Sequence, residues 1–185
     1  EKKWKKLKKQ SENIDLSNLI LELVHYFEFL AEDKQMTFVL ALEKGIQIYA
    51  NADLLKRALS NLIINAIDYG FEDQDIVIST KSTENHVNIE ILTKNVFIDK
   101  QHLNQLFERF YQIDSSRHSK AKTGGLGLSI VKSIMMLHHG EVTAYNTKEG
   151  IIFSLKIQYL TWRFYLKVIE NHKFNIADYL GAIKL

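Results

Sequence analysis

Cysteine is absent from this 185-residue chain, which removes disulfides and thiolate metal sites and fits a reducing compartment. Proline is also absent, and that absence has no physical account. No apolar run approaches the roughly 18 residues that a membrane span requires. Net charge is small: 24 Lys and Arg stand against 22 Asp and Glu, leaving +2 and no bulk electrostatic argument for nucleic acid. No signal peptide is visible and the chain opens on Glu1, so the expectation is a piece of a longer protein. What is present suits a folded domain, or one domain with appendages: 46% of residues are hydrophobic and 25% charged. Only the start departs from this. "EKKWKKLKKQ" holds six lysines in ten residues, which read as a solvated helix face with Trp4 and Leu7 turned inward. A membrane-surface or nucleic-acid role is the weaker alternative, and neither is expected.

Periodicity supplies a coarse map. Residues 16–33, "LSNLILELVHYFEFLAED", predict an amphipathic helix capped by Asp15 or Ser17. "MTFVLAL" and "IQIYA" predict short strands. Asp53 is the expected cap of a second helix, "LLKRALSNLIINAIDYG", whose apolar face is Leu55, Ala58, Leu59, Leu62, Ile63 and Ala66 and whose stop is Gly70. "DIVISTK" and "HVNIEIL" read as two strands joined by "STEN". A helix over "DKQHLNQLFERFY" follows, then "QIDSSRHSKAKTGG", polar, basic and glycine-terminated, which reads as a mobile loop. A helix from the glycines onward and the strands "EVTAY" and "IIFSLKI" close the pattern. The order αββαββαββ, with helices segregated from an antiparallel or mixed sheet, predicts a two-layer α+β sandwich.

Two constellations carry chemistry. Asn61, Asn65 and Tyr69 stand at i, i+4 and i+8, so they share one flank of the second helix. An amide oxygen is a hard ligand suited to magnesium, and a tyrosine ring packs on a flat heterocycle; an exposed helix flank is the equally open alternative. Gly124, Gly125 and Gly127 let backbone N–H groups approach an oxyanion, with a helix N-terminus behind them. Arg109, Arg117, Lys120 and Lys122 lie just upstream as movable cations. Alone, such glycines are no more specific than a hinge. Together with the asparagines and the tyrosine they describe a nucleoside triphosphate site.

These residues also resemble a known family. "LSNLIINAIDYG" is similar to the N box of sensor histidine kinases, "LFERFYQIDSSR" to their phenylalanine-rich box and "GGLGLSIVKSI" to their second glycine box. With "VHYFEFLAEDKQM", "RALSNLIINAI", "RFYQIDSSR" and "LSIVKSI", the resemblance points to the heavy-metal (copper/silver) sensing subfamily. It runs from about residue 13 to 157 with the motifs in the right order. It implies an α+β sandwich of the Bergerat type, a mixed sheet with helices on one face, binding ATP and magnesium. It implies that Asn65 is the magnesium ligand, Asn61 its companion one turn earlier, and Tyr69 the aromatic beside the adenine. Arg109 matches a lid-side residue near the phosphates. The remaining implied ATP-binding residues are Thr93, Phe110, Arg117, Gly124, Gly125, Leu126, Gly127 and Leu128. Related hydrolytic ATPases place a water-activating glutamate at the position of Asn61, where an amide cannot act as a base. The expected activity is therefore transfer of phosphate to a histidine.

The pattern also breaks. The seven histidines include none in the expected phosphoacceptor context, so the partner is a separate dimerisation hairpin and, through it, a response regulator. No catalytic residue for that step is expected within this chain. Residues 1–12 read as the end of that hairpin or a linker. Where the first glycine box expects D-x-G-x-G-I, this chain reads "TKNVFI": Thr93 replaces the acid, Asn95 and Phe97 the glycines. The hydroxyl offers a shorter reach to the adenine amine, and glycine conformations are expected to be lost. Asp68 replaces a basic residue, Thr123 and His139 replace glycines, and Ile152 replaces a threonine. Adjacent His138 and His139 project about 100° apart on a helix, which argues against a metal site. Residues 158–185 form an extension whose apolar spacing suggests one or two helices; docking on the sheet, binding a partner and no role at all stay open. Three functions are carried forward: a cytoplasmic kinase domain of a membrane-bound bacterial sensor, a degenerate pseudokinase that regulates by contact, and a pure interaction module.

Overall fold

A computed structural model describes residues 11–113 and 125–159. The elements are β1 (Glu12–Asp15), α1 (Leu16–Glu32), β2 (Thr37–Ala41), β3 (Gln47–Ala50), α2 (Ala52–Tyr69), β4 (Asp75–Ser82), β5 (His86–Lys94), α3 (Lys100–Leu103), α4 (Gly127–Leu137), β6 (Glu141–Asn146) and β7 (Gly150–Gln158). The basic start and the extension beyond Tyr159 lie outside the described residues.

Strict alternation builds the main sheet. Along β5, Val87, Ile89, Ile91 and Thr93 are buried while each intervening residue is partly exposed. One face of the strand therefore enters the core and the other looks outward. The five strands run in the order β2-β4-β5-β7-β6, with β2 parallel to β4 and the other pairs antiparallel. This is the expected mixed sheet of an α+β sandwich. A second, two-stranded sheet pairs β1 with β3. Periodicity missed β1, because four residues of "ENID" carry no pattern of their own and become a strand only by pairing with β3.

The helices form the other layer. α2 buries Leu55, Ala58, Leu59, Leu62, Ile63, Ala66 and Ile67, the predicted face plus one residue. At about 1.5–3 kcal/mol per fully buried large apolar side chain, this face contributes on the order of 10 kcal/mol as an upper estimate. Asp15 caps α1 by accepting from the Asn18 N–H at 3.0 Å. The expected Asp53 cap of α2 is corrected to Asn51, whose Oδ1 accepts from the Leu54 N–H at 3.0 Å; Asp53 sits in the first turn. The helix starts two residues earlier because Asn51 is buried and its extended backbone closes β3 directly into the cap.

The expected helix over 99–111 shrinks to Lys100–Leu103. After it, Gln105 and Glu108 donate to carbonyls three residues back rather than four, making turns. Phe110 then takes φ 64°, which no right-handed helix continues through. These turns bury Leu106 and Phe107 side by side, and Phe107 meets Phe153 edge-on at 6.3 Å. No helix among the described residues is long and apolar enough to cross a membrane.

One tie links the end of α4 to the start of α2. The Asn51 N–H donates to His138 Nε2 at 3.1 Å, which leaves the proton on Nδ1, 2.9 Å from the Ile134 carbonyl. Burial holds the His138 pKa below its usual 6.5, against the opposing hydrogen bond to Ile134. As pH falls, the unfolded chain takes up this proton before the folded one does. Stability from this site is therefore full above 6.5 and is lost between 6.5 and the lower folded pKa. We expect urea midpoints to drop as the pH is lowered through that window, and His138→Gln to flatten the drop. An unchanged slope in the variant would rule the site out.

Candidate functional site

A cleft of about 550 Å³ opens between the C-terminal half of α2, the end of β5, the start of β7 and the start of α4. Four separated stretches reach it. From α2 come Asn65 and Tyr69, from β5 Thr93, from β7 Ile151 and Phe153, and from the approach to α4 Gly125, Gly127 and Leu128. The flank shared by Asn65 and Tyr69 follows from the burial of the opposite α2 face. Thr93 reaches the cleft floor because it continues the inward alternation of Ile89 and Ile91; it is 2% exposed.

The altered glycine box keeps more of its geometry than its composition implies. The expected loss of glycine conformation is corrected at Asn95, which takes φ 60°. Asparagine is one of the few side chains that tolerate this region. Its N–H donates to the Glu149 carbonyl at 2.8 Å and its Nδ2 to Gln74 Oε1 at 2.6 Å. Phe97 does add bulk: it lines the cleft yet is 57% exposed, so with Tyr69 and Phe71 it makes an aromatic rim. Behind the rim the walls are apolar, with Val96, Ile98, Leu106, Ile151 and Phe153. Sequence reasoning missed these walls. The alternation of β7 was the signal for Ile151 and Phe153, whereas Phe71, in the turn after Gly70, gave none.

Gly125 fixes the other side. It takes φ 74°, and a Cβ there would stand 3.0–3.1 Å from the backbone of Phe110 and Tyr111. Its carbonyl accepts from the Phe110 N–H at 3.1 Å, so the chain before residue 114 and after residue 124 meets at one place. Lys132 on α4 and Glu108, 3.0 Å apart, tie the same junction from outside. Tyr111, a cleft residue, shares a hydrogen bond with His102 Nδ1.

Four of the predicted residues do not line the cleft. Asn61 lies beside it, its Oδ1 3.6 Å from where a Cβ on Gly127 would be. Arg109, Phe110 and Leu126 are exposed near its entrance. Arg117 and Gly124, with Lys120, Lys122 and Thr123, lie outside the described residues. Asp68 is exposed, and Lys34 offsets it locally by donating to the Ile67 and Asp68 carbonyls at the C-terminus of α2. The Tyr69 hydroxyl is pushed above its usual pKa by burial and by Asp68, so it is a neutral donor. Among the described lining residues none carries a formal charge. The cleft thus suits a flat, neutral heterocycle inside, with phosphate reaching the glycines at α4.

Comparison with known proteins decides the family. The model of the histidine kinase-, DNA gyrase B- and HSP90-like ATPases matches residues 50–161. The chain belongs to that ATPase family. The Escherichia coli sensor histidine kinase HprS is 36% identical to this ATPase domain over 147 residues, covering 79% of the chain and 31% of HprS. The E. coli sensor histidine kinase CusS is 33% identical over 144 residues, covering 78% of the chain and 30% of CusS. The chain therefore spans about a third of the length of these relatives. The catalytic domain of the histidine kinase ThkA has the same fold, with TM-score 0.72 at 23% identity over 80% of this chain and 95% of that one. The resemblance drawn from the motifs holds: the ATPase domain is homologous to the catalytic domains of sensor histidine kinases.

Next to Thr93, one position beside the cleft tolerates no side chain. Gly150 has φ 154°, and a Cβ there would meet the Thr93 carbonyl oxygen at 2.1 Å and the Asn95 nitrogen at 3.0 Å. Gly150→Ala must part β5 from β7 beside Thr93. We expect it to lower stability by about 2 kcal/mol or more, read as a lower urea midpoint at unchanged slope. A midpoint equal to that of the parent chain would contradict the geometry.

Proposed function

We propose that this ATPase domain is the catalytic part of a two-component sensor histidine kinase, passing the γ-phosphate of ATP to a histidine on a separate dimerisation hairpin. Residues 13–157 form that domain, residues 1–12 end the hairpin or link to it, and a response regulator receives the phosphate from it. The whole protein is a membrane-bound bacterial sensor and this domain its cytoplasmic portion. One observation carries the reading: Asn65, Tyr69, Thr93, Gly125 and Gly127, predicted from separate motifs, line a single cleft whose described lining residues carry no formal charge.

When bound, ATP supplies the phosphoryl group and magnesium offsets the phosphate charge. Asn65 contributes one hard amide oxygen, which suits a cation that takes its remaining ligands from phosphates and water. Tyr69 lies against the edge of the base, and the apolar walls exclude water from it. The Thr93 hydroxyl offers one hydrogen bond to the base, where a carboxylate would accept the adenine amine outright. Gly125 and Gly127 leave room for backbone N–H groups to face the phosphates. Asn61 cannot take a proton, so the site holds no base there to activate water. Arg109, Phe110, Arg117, Gly124, Leu126 and Leu128 complete the proposed nucleotide contacts from the entrance side.

Calorimetric titration with Mg-ATP tests this. Binding should be saturable, and Asn65→Ala should weaken it by at least roughly tenfold, the loss of one charge-assisted contact of about 1.5–3 kcal/mol. A folded chain that ignores millimolar ATP would leave the pseudokinase or interaction reading instead. A positive result leads to phosphotransfer onto a supplied hairpin. Thr93→Asp reads the base contact separately: restoring the stronger acceptor should tighten ATP roughly tenfold. Unchanged or weaker affinity would mean that the base does not meet residue 93.

A further inference from the structure

The outer face of the sheet, away from the helices, breaks its own alternation at one level. Val39 pairs with Val77, Val77 with Leu92, Leu92 with Ile152, and Ile152 with Tyr145. One unbroken apolar row thus crosses all five strands in register. None of the five packs against the core; Val39 is 43% and Tyr145 38% exposed. On one side the row is bounded by the Asp75–Lys94 ion pair. On the other stand Ser79, Glu90, Ser154 and Thr143, with Glu90 accepting from the Tyr145 hydroxyl at 2.7 Å. Single exposed apolar residues need no explanation, but a bounded, contiguous stripe across an open sheet face does.

We propose that residues 160–185 fold back over this face and seat their apolar side chains on the row Val39, Val77, Leu92, Ile152 and Tyr145. The segment leaves the sheet at Tyr159, whose N–H donates to the Asn85 carbonyl at 2.9 Å, at the end of the strand that carries Ile152. The row lies seven residues back along that strand, about 23 Å away, and is itself about 19 Å long. Twenty-six residues follow Tyr159; wholly helical they would span about 39 Å, against about 42 Å for the return and the crossing together, so a few residues of extended chain complete the path. Seven of the ten residues in "LTWRFYLKVI" (160–169) are apolar or aromatic, a stretch unfavourable to leave in water. Tethering to β7 holds it near this face at an effective concentration that a second copy matches only in concentrated solution. The occupant is therefore the chain's own extension.

Trp4 and Trp162 are the only tryptophans, so Trp4→Phe leaves Trp162 as the sole reporter in the full chain. We expect its emission to be blue-shifted and several-fold less quenched by iodide than free tryptophan. Leu92→Thr with Ile152→Thr keeps residues that suit strands but removes the apolar row. That double variant should shift Trp162 to the red and restore quenching, with the mass by light scattering monomeric throughout. The proposal fails if Trp162 is freely quenched in the parent background, or equally protected in both proteins. It fails too if protection rises with concentration alongside a dimer mass, since a second copy then covers the face. Should the double variant lose its far-ultraviolet strand signal, Val77→Thr alone is judged by the same outcomes.

Discussion

Burial of one face of α2 against the sheet is the constraint on which the rest of the structure depends. With Leu55, Ala58, Leu59, Leu62, Ile63, Ala66 and Ile67 turned inward, the helix has no rotational freedom left. Asn65 and Tyr69 must then stand on the flank that overlooks the end of β5. The Asn51 cap and its tie to His138 fix where along its axis the helix begins. A cap contributes about 1 kcal/mol, an order of magnitude less than the buried face. Packing therefore holds the helix and capping sets its register. A polar flank positioned by an apolar face is a rigid way to present an amide oxygen, because a shift of Asn65 would have to disturb the core.

The opposite wall of the cleft is held by backbone rather than by side chains. Gly125 lies against Phe110 and Tyr111, Gly150 against Thr93, and Asn95 against Glu149. At each of these places two main chains come so close that the φ angle, and at the two glycines the absence of a Cβ, decides the geometry rather than hydrophobicity. This is why the glycine box survives the replacement at Asn95 yet is changed by Phe97. The asparagine reproduces the conformation, whereas the phenylalanine adds a ring that the rim must carry in solvent.

How much could be read in the sequence follows from the same division. Wherever a period decides an element, reading succeeds: the α2 face, the β5 alternation and the mixed α+β sandwich all come from spacing. Where pairing or local strain decides, spacing is silent. β1 exists through β3, and the helix after Asp99 stops because Leu106 and Phe107 must be buried together before Phe110 turns the chain. The cleft was legible through Asn65, Tyr69 and the glycines because their chemistry is unusual for their surroundings, and through Thr93 only by the resemblance to the first glycine box. Val96, Ile98 and Leu106 were not, since an apolar residue that walls a pocket looks in sequence like one that fills a core.

The two faces of the sheet carry that ambiguity further. Ile76, Ile91 and Ile151 are buried under the helices, while Val77, Leu92 and Ile152, each one residue along, look outward. A run such as "EIL" or "GIIF" cannot say whether its second apolar residue is surplus or matched. Register answers it: five independent strands place one large outward apolar residue each, and all five fall on the same level. Outward residues chosen only for solubility would favour polar or charged side chains at that level, as the adjoining levels with Asp75, Lys94 and Glu90 do. An apolar level between two polar ones is the pattern of a surface with something to cover it, and the most apolar stretch without a described place in the fold begins two residues after the sheet ends.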